Sequence, residues 1–228
     1  RKKIPIFMVI RNRLQTTDYM AIKITTGQTG GSLKAKSHWW GFPDLPSGID
    51  FPLLAGGVCD DEGEDLMTFI CQIRLAEIAE SDTENLLPHE GMLYFFADLD
   101  YFLGDLEAPC EGLGFWREGT YKIIYSPDIE HLDTHIVVDE DGHDACLPAE
   151  SICYGETDEE DYGHKLLGVP FFDEVREEAP GYVSLLQMDE DERWNLRFYD
   201  CGMMNFLISR EDLAARRFDN VKLYVHCM

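Results

Sequence analysis

Apolar positions fall in short, dense runs separated by turn-forming and acidic residues, a pattern of many strands and few helices. Ala21-Ile22-Lys23-Ile24-Thr25 alternates and is β-branched, which predicts a half-buried strand. Thr68 to Ile73 and Gly91 to Ala97 are near-continuous apolar runs and predict buried strands. Tyr121 to Tyr125, His135 to Val138, Val183 to Met188, Met203 to Ile208 and Val221 to Val225 predict further strands. Ile4 to Ile10 is apolar but too short for its period to separate strand from helix. Ser209, three residues before Asp212, is a capping signal for a short helix over Arg210 to Arg217, and Leu75 to Glu80 allows at most one more. Gly27 to Gly31 reads as a turn. Pro43, Pro46 and Pro52 exclude a helix interior between Gly41 and Pro52 and predict a fixed, extended loop. Together these predict an α+β fold with predominantly antiparallel sheets and few, short helices.

One pattern recurs. Trp40-Gly41-Phe42-Pro43, Ile70-Cys71-Gln72-Ile73 and Gly91-Met92-Leu93-Tyr94-Phe95-Phe96 are matched in order by Leu167-Gly168-Val169-Pro170, Leu185-Leu186-Gln187-Met188 and Gly202-Met203-Met204-Asn205-Phe206-Leu207. The shared landmarks are Gly-x-Pro, an apolar strand carrying one Gln, and a Gly that opens a second apolar strand. Two copies are too few for a solenoid and predict an internally duplicated half-domain with pseudo-twofold symmetry around one core. The expected organisation is a single domain over 1–228. It has a basic N-terminal segment, 1–36, a first repeat over about 37–108 and a second over about 160–228.

The ordered set, with Ser37-His38-Trp39 and Asp44 to Pro52 in the first half and His164 to Leu166, Asp189, Asp200, Asp212-Leu213 and Phe218 in the second, resembles the YwqG-like family, a bacterial-type domain of unknown function. The resemblance covers roughly residues 20 to 227. It implies an α+β fold with internal duplication and brings no established activity. Relatives are often encountered beside bacterial toxin systems, so the resemblance also implies, by association alone, an antidote-like or protein-binding role.

Charge narrows the function classes. The 228 residues carry 44 acidic against 19 basic side chains, a formal net charge of −25. That argues against a general nucleic-acid binder, whose surface must be positive. The excess is uneven: residues 1–36 carry eight basic side chains and one acid, and the remainder 11 and 43. Such a body attracts a basic partner. No apolar run approaches the roughly 18 residues of a membrane span, so no membrane association is expected. The chain opens Arg1-Lys2-Lys3 without a Met, as a trimmed or processed chain does. Seven cysteines at irregular spacings, with no Cys-x-x-Cys, predict reduced thiols in a cytoplasmic setting.

Candidate chemistry is sparse. Gln72 and Gln187 hold equivalent positions in apolar strands, where a buried amide must find partners. Either each ties down loop backbone, for instance its Gly-x-Pro loop, or the pair flanks a cleft that Asp189 and Asp200 also line. His38, Trp39, Trp40 and Asp44, beside the Pro-rich loop, complete the candidate binding set. Adjacent tryptophans on an extended segment point to opposite sides, so one is expected in the core and the other exposed as an interaction anchor. His131 and His135 are four apart, but on a strand that spacing separates them, and the Asp139-Glu140-Asp141-Gly142 run lacks the bidentate Glu of a calcium loop. No nucleophile elbow, phosphate-binding Gly-rich Lys loop or dinucleotide fingerprint occurs. The reading is a non-enzymatic, acidic protein-binding module without cofactor or metal. The alternative is an enzyme with a cleft between the repeats.

Overall fold

A computed structural model describes residues 20–27, 32–55, 65–156 and 162–228. The Ile4 to Ile10 run, most of the Gly27 to Gly31 turn, Cys59 and the acidic residues at 60–64 and 157–161 lie outside the described residues. In chain order the strands are β1 (Ile22–Thr26), β2 (His38–Trp39), β3 (Asp44–Pro46), β4 (Thr68–Arg74), β5 (Met92–Ala97), β6 (Gly114–Phe115), β7 (Tyr121–Ser126), β8 (Leu132–Thr134), β9 (Glu150–Glu156), β10 (Lys165–Leu166), β11 (Tyr182–Asp189), β12 (Gly202–Ser209) and β13 (Lys222–Cys227). Only α1 (Asp173–Glu178) and α2 (Arg210–Ala214) are α-helical among the described residues. The fold is α+β, dominated by antiparallel sheet.

Eleven strands form one sheet in the order β6-β13-β12-β11-β10-β1-β9-β2-β4-β5-β7, and β3 and β8 form a separate pair. The sheet is not flat. Phe95 on β5 and Phe206 on β12 touch with ring centroids 5.2 Å apart, although seven strand spacings separate them in the order. At about 4.8 Å per spacing a flat sheet would hold them about 34 Å apart. The two ends therefore curl toward each other and share one inner core, to which Cys71, Leu93 and Phe95 contribute from one end and Leu186, Met204 and Leu223 from the other. The outer faces have their own smaller cores. Tyr94 and Phe96 pack under Leu45 and Leu132, and Met203 and Leu207 under Val175 of α1.

The centre of the sheet is the β1–β9 ladder, with Thr25 opposite Cys153. On one side β2 pairs with β4, His38 opposite Gln72; on the other β10 pairs with β11, Lys165 opposite Gln187. The chain leaves β2 and β10 by the same device. Trp40-Gly41 and Leu167-Gly168 are left-handed pairs, with φ of 52° and 70° and of 61° and 80°. A Cβ on Gly41 would stand 2.6 Å from Ala149 Cβ, and one on Gly168 2.7 Å from Ala21 Cβ, so glycine is required on steric as well as torsional grounds.

Two expectations need correction. The strand expected at His135 to Val138 lies earlier, at Leu132–Thr134, because its partner is β3: Leu45 faces Asp133, and Thr134 Oγ1 donates to Asp44 Oδ1 at 2.6 Å. The β-branched run beyond it finds no sheet to bury it, and Ile136 is 67 % exposed. The second helix stops at Ala214 and not at Arg217, since Arg216 turns left-handed at φ 57°. Its start is as expected: Ser209 Oγ accepts the Asp212 N–H at 3.0 Å.

Candidate functional site

The residues selected from sequence turn out to be deeply built in. Gln72 is fully buried. Its Oε1 accepts the Asp44 N–H at 2.9 Å, and its Nε2 donates to Lys36 O at 2.9 Å and to Asp44 Oδ2 at 3.1 Å. Gln187 does the same in its own half, accepting the Phe171 N–H and donating to Gly163 O, each at 3.0 Å. Each amide thus locks the loop that follows a Gly-x-Pro to the strand it packs on, and neither opens onto a cleft. Asp44 is 2 % exposed and also accepts the Ala35 N–H at 2.8 Å, while its own C=O receives Tyr94 Oη at 2.6 Å.

Neither tryptophan of the pair is exposed: Trp39 is 0 % and Trp40 1 % accessible. The expectation of opposite faces fails because the chain is not extended at Trp40, whose φ is positive. Both rings turn to Trp194, at centroid distances of 5.3 and 5.2 Å. The indole N–H groups of all three have no hydrogen-bond partner among the described residues. Trp40 and Trp194 meet edge-to-face at 84°, a geometry in which a ring face acts as a weak acceptor. His38 is buried beside them, donates from Nδ1 to Trp40 O at 2.8 Å, and has its pKa lowered mainly by burial.

His164 stacks on Trp194 at 5.2 Å. Its Nδ1 accepts the Asp189 N–H at 3.0 Å, which places the ring proton on Nε2, 3.5 Å from Asp191 Oδ2. Burial pushes Asp191 up, but hydrogen bonds from His164 and Arg193 outweigh it and hold the carboxyl below the usual range. Asp189 is pushed up, chiefly by burial. Asp200 sits on an exposed turn between left-handed Tyr199 and Cys201, its C=O receiving Cys227 Sγ at 3.0 Å, and no hydrogen bond among the described residues links it to Asp189. His131 and His143 make only exposed pairs with Asp128 and Asp139. Among the described residues no three His, Cys, Asp or Glu side chains gather as a metal-holding group.

The open surface lies elsewhere. A groove of about 1010 Å³ runs along β7, between the Ile49–Leu53 loop and residues 218–222. A second hollow of about 430 Å³ lies between the same loop and residues 133–137. Ile49 and Asp50 line both, so the two hollows adjoin at this loop and form one depressed region to either side of it. None of the eight side chains selected from sequence lines it. Instead its rim carries large apolar side chains out in solvent: Ile49 at 41 %, Leu53 at 46 % and Ile136 at 67 %. Asp50, Asp133, Glu118, Asp212 and Asp219 stand among them, against Lys122, Arg216 and Lys222. The sequence signal was present, in branched apolar residues within a proline-rich loop and beyond a strand end, but nothing in a linear pattern says such residues fail to reach the core.

Asp98 is a separate electrostatic feature. Partial burial, with Asp100, Glu111 and Asp65 nearby, raises its pKa to about 6. A carboxyl raised in the folded state binds its proton more tightly there than in the unfolded chain. Stability from this group is therefore full at low pH and falls as pH rises through about 4 to 6. Asp98→Asn is expected to raise stability at pH 7.5 by about 1 kcal/mol, after discounting for partial solvent screening, and to leave it unchanged near pH 4. Urea titrations of both proteins at the two pH values check this; an equal shift at both would mean the gain is not electrostatic.

A family model described as "Domain of unknown function (DUF1963)" matches residues 37–227. No curated protein matches the chain.

Proposed function

The chain belongs to the DUF1963 family, which supplies no activity, and from its own surface we propose that it is a non-enzymatic, acidic protein-binding module that masks a basic partner. The observation that carries this reading is the depression centred on Ile49 and Asp50, where branched apolar side chains stay in solvent on a chain of net charge −25. Charge brings a cationic partner in, and desolvation of Ile49, Leu53 and Ile136 retains it. This replaces the tryptophan pair as anchor. The raised carboxyls that an enzyme reading would use, Asp98 and Asp189, do not line the depression. The described cysteines are free, which supports a reducing, cytoplasmic setting.

We also infer that the two halves derive from one duplicated unit. The matched roles of Gln72 and Gln187 and of Trp40-Gly41 and Leu167-Gly168 support this, as does their flanking of the β1–β9 ladder.

The test is affinity capture from the native source by the wild-type chain and by an Ile49→Asp/Ile136→Asp variant, at low and high salt. The expected result is a basic protein retained by the wild type at low salt, released at about 0.5 M, where screening shortens to a few ångströms, and lost by the variant. Capture of an acidic partner, or equal capture by the variant, would contradict the reading.

A further inference from the structure

We infer that the bare edge of β7 is a strand-addition site for one extended segment of that basic partner, an inference that takes the partner's charge from the reading above and its conformation from backbone geometry alone. β7 ends the sheet and pairs only with β5 among the described residues. The phase of the ladder decides which of its groups are left over. The Asp98 N–H donates to Thr120 O at 2.9 Å, so Asp98 and Thr120 are a hydrogen-bonded pair. Such pairs alternate along an antiparallel ladder, so Lys122, Ile124 and Ser126 face β5. The other side of β5 agrees: Leu75 N–H donates to Gly91 O at 3.0 Å, which turns the odd-numbered residues of β5 toward β4. Tyr121, Ile123 and Tyr125 therefore present their N–H and C=O groups to the groove, and no backbone hydrogen bond among the described residues takes them.

Backbone donors and acceptors at alternate positions select an extended strand, whatever its sequence. At the other end of the sheet the chain covers β13 in this way itself, with β6 pairing at Tyr224 and Val225 and Trp116 N–H donating to Leu223 O at 3.0 Å. At β7 the groove has room for the same, at about 1010 Å³. Its walls, the Ile49–Leu53 loop on one side and residues 218–222 on the other, sink the edge into a trench. That shape favours a lone strand over a second copy of this chain, whose own walls would meet these before the two edges did. Lys122, a common guard against edge pairing, is matched by Asp219 at 3.4 Å. The five residues from Tyr121 to Tyr125 accept a run of about 17 Å. Lys122, Lys222 and Arg216 line the groove as well, but Lys122 is matched by Asp219 and Lys222 lies over the Phe115 and Tyr182 rings, so it is the wall of Ile49, Leu53, Asp50 and Glu118 that suits a strand alternating apolar and basic side chains.

The experiment titrates the isotope-labelled full chain with an acetylated, amidated (Lys-Val)4 peptide and with its twin N-methylated at the four central residues, following backbone amides by NMR and hydrogen exchange. The two peptides carry the same charge and differ in the N–H groups a strand must donate. The expected result is binding of the first, with exchange at Tyr121, Ile123 and Tyr125 slowed at least tenfold, and at least tenfold weaker binding of the second. Equal binding by both would overturn strand addition while leaving the acidic protein-binding reading intact. Binding by neither would overturn strand addition, and the capture experiment then judges the wider reading separately. Protection of the three amides that grows with protein concentration and no peptide would assign the edge to a second copy and overturn the inference as well.

Discussion

Replacing Asp44 by Ala is expected to lower the unfolding free energy by about 3–4 kcal/mol. The carboxylate is buried and accepts from Ala35 N–H, Gln72 Nε2 and Thr134 Oγ1. Removing it leaves the part-buried Ala35 N–H without its acceptor, since an alanine methyl brings none. The Gln72 amide keeps Lys36 O and loses one of two acceptors. Thr134 is exposed and rehydrates, which is why the cost stays below three full desolvation penalties. The pairing also makes a coupling prediction: in a cycle with Gln72→Leu the two losses fall short of additive by at least about 1 kcal/mol, because they dismantle one network. Urea unfolding of the two single variants and the double variant measures both quantities. A loss under about 1 kcal/mol for Asp44→Ala, or strict additivity, would show that the loop is held by something other than this carboxylate.

Trp194→Ala is expected to cost about 3–5 kcal/mol, with the loss felt in both halves of the sheet. Trp194 lies in the 3-10 turn Glu192–Trp194 after β11, yet it packs on Trp39 and Trp40, which leave β2 at the other side of the central ladder. His164 stacks on its face and the Arg193 guanidinium lies 5.3 Å from its ring. The indole N–H has no hydrogen-bond partner among the described residues, so the loss is mainly one of packing. Because the cavity would open where the halves meet, slower-exchanging amides of both β4 and β11 are expected to speed up together in hydrogen exchange. Acceleration confined to β11 would mean the halves unfold independently and the shared core is weaker than its aromatic contacts suggest.

How far the sequence could be read follows from what kind of information each feature needs. The strongest strands, β4, β5, β11 and β12, were visible as apolar runs because both their faces are covered, the inner by the shared core and the outer by loops or α1. The short strands β2 and β10 were not, since two residues carry no period, and β9 is broken up by Ser151, Gly155 and flanking acids. The role of the two glutamines was legible as an alternative: a buried amide must be paired, and loop backbone following Gly-x-Pro was the nearest supply of partners. The placing of the tryptophans turns on one torsion. A left-handed Trp40 turns a neighbour expected in solvent into the core, and no side-chain pattern reports a φ of 52°. The groove was invisible for a different reason. Residues of the Ile49–Leu53 loop, β7 and the segment before β13 meet only because an eleven-stranded sheet curls, a global property to which no short window has access.

The central claim is that charge brings a basic partner and the apolar rim holds it. Its most direct test is the association and dissociation rates of the captured partner with the wild-type chain, across ionic strength and with Ile136→Asp. The account predicts an association rate that falls at least tenfold between about 20 and 300 mM salt. It also predicts a dissociation rate nearly constant in salt that rises at least tenfold on Ile136→Asp. An association rate indifferent to salt, or a dissociation rate unmoved by Ile136→Asp, would contradict it.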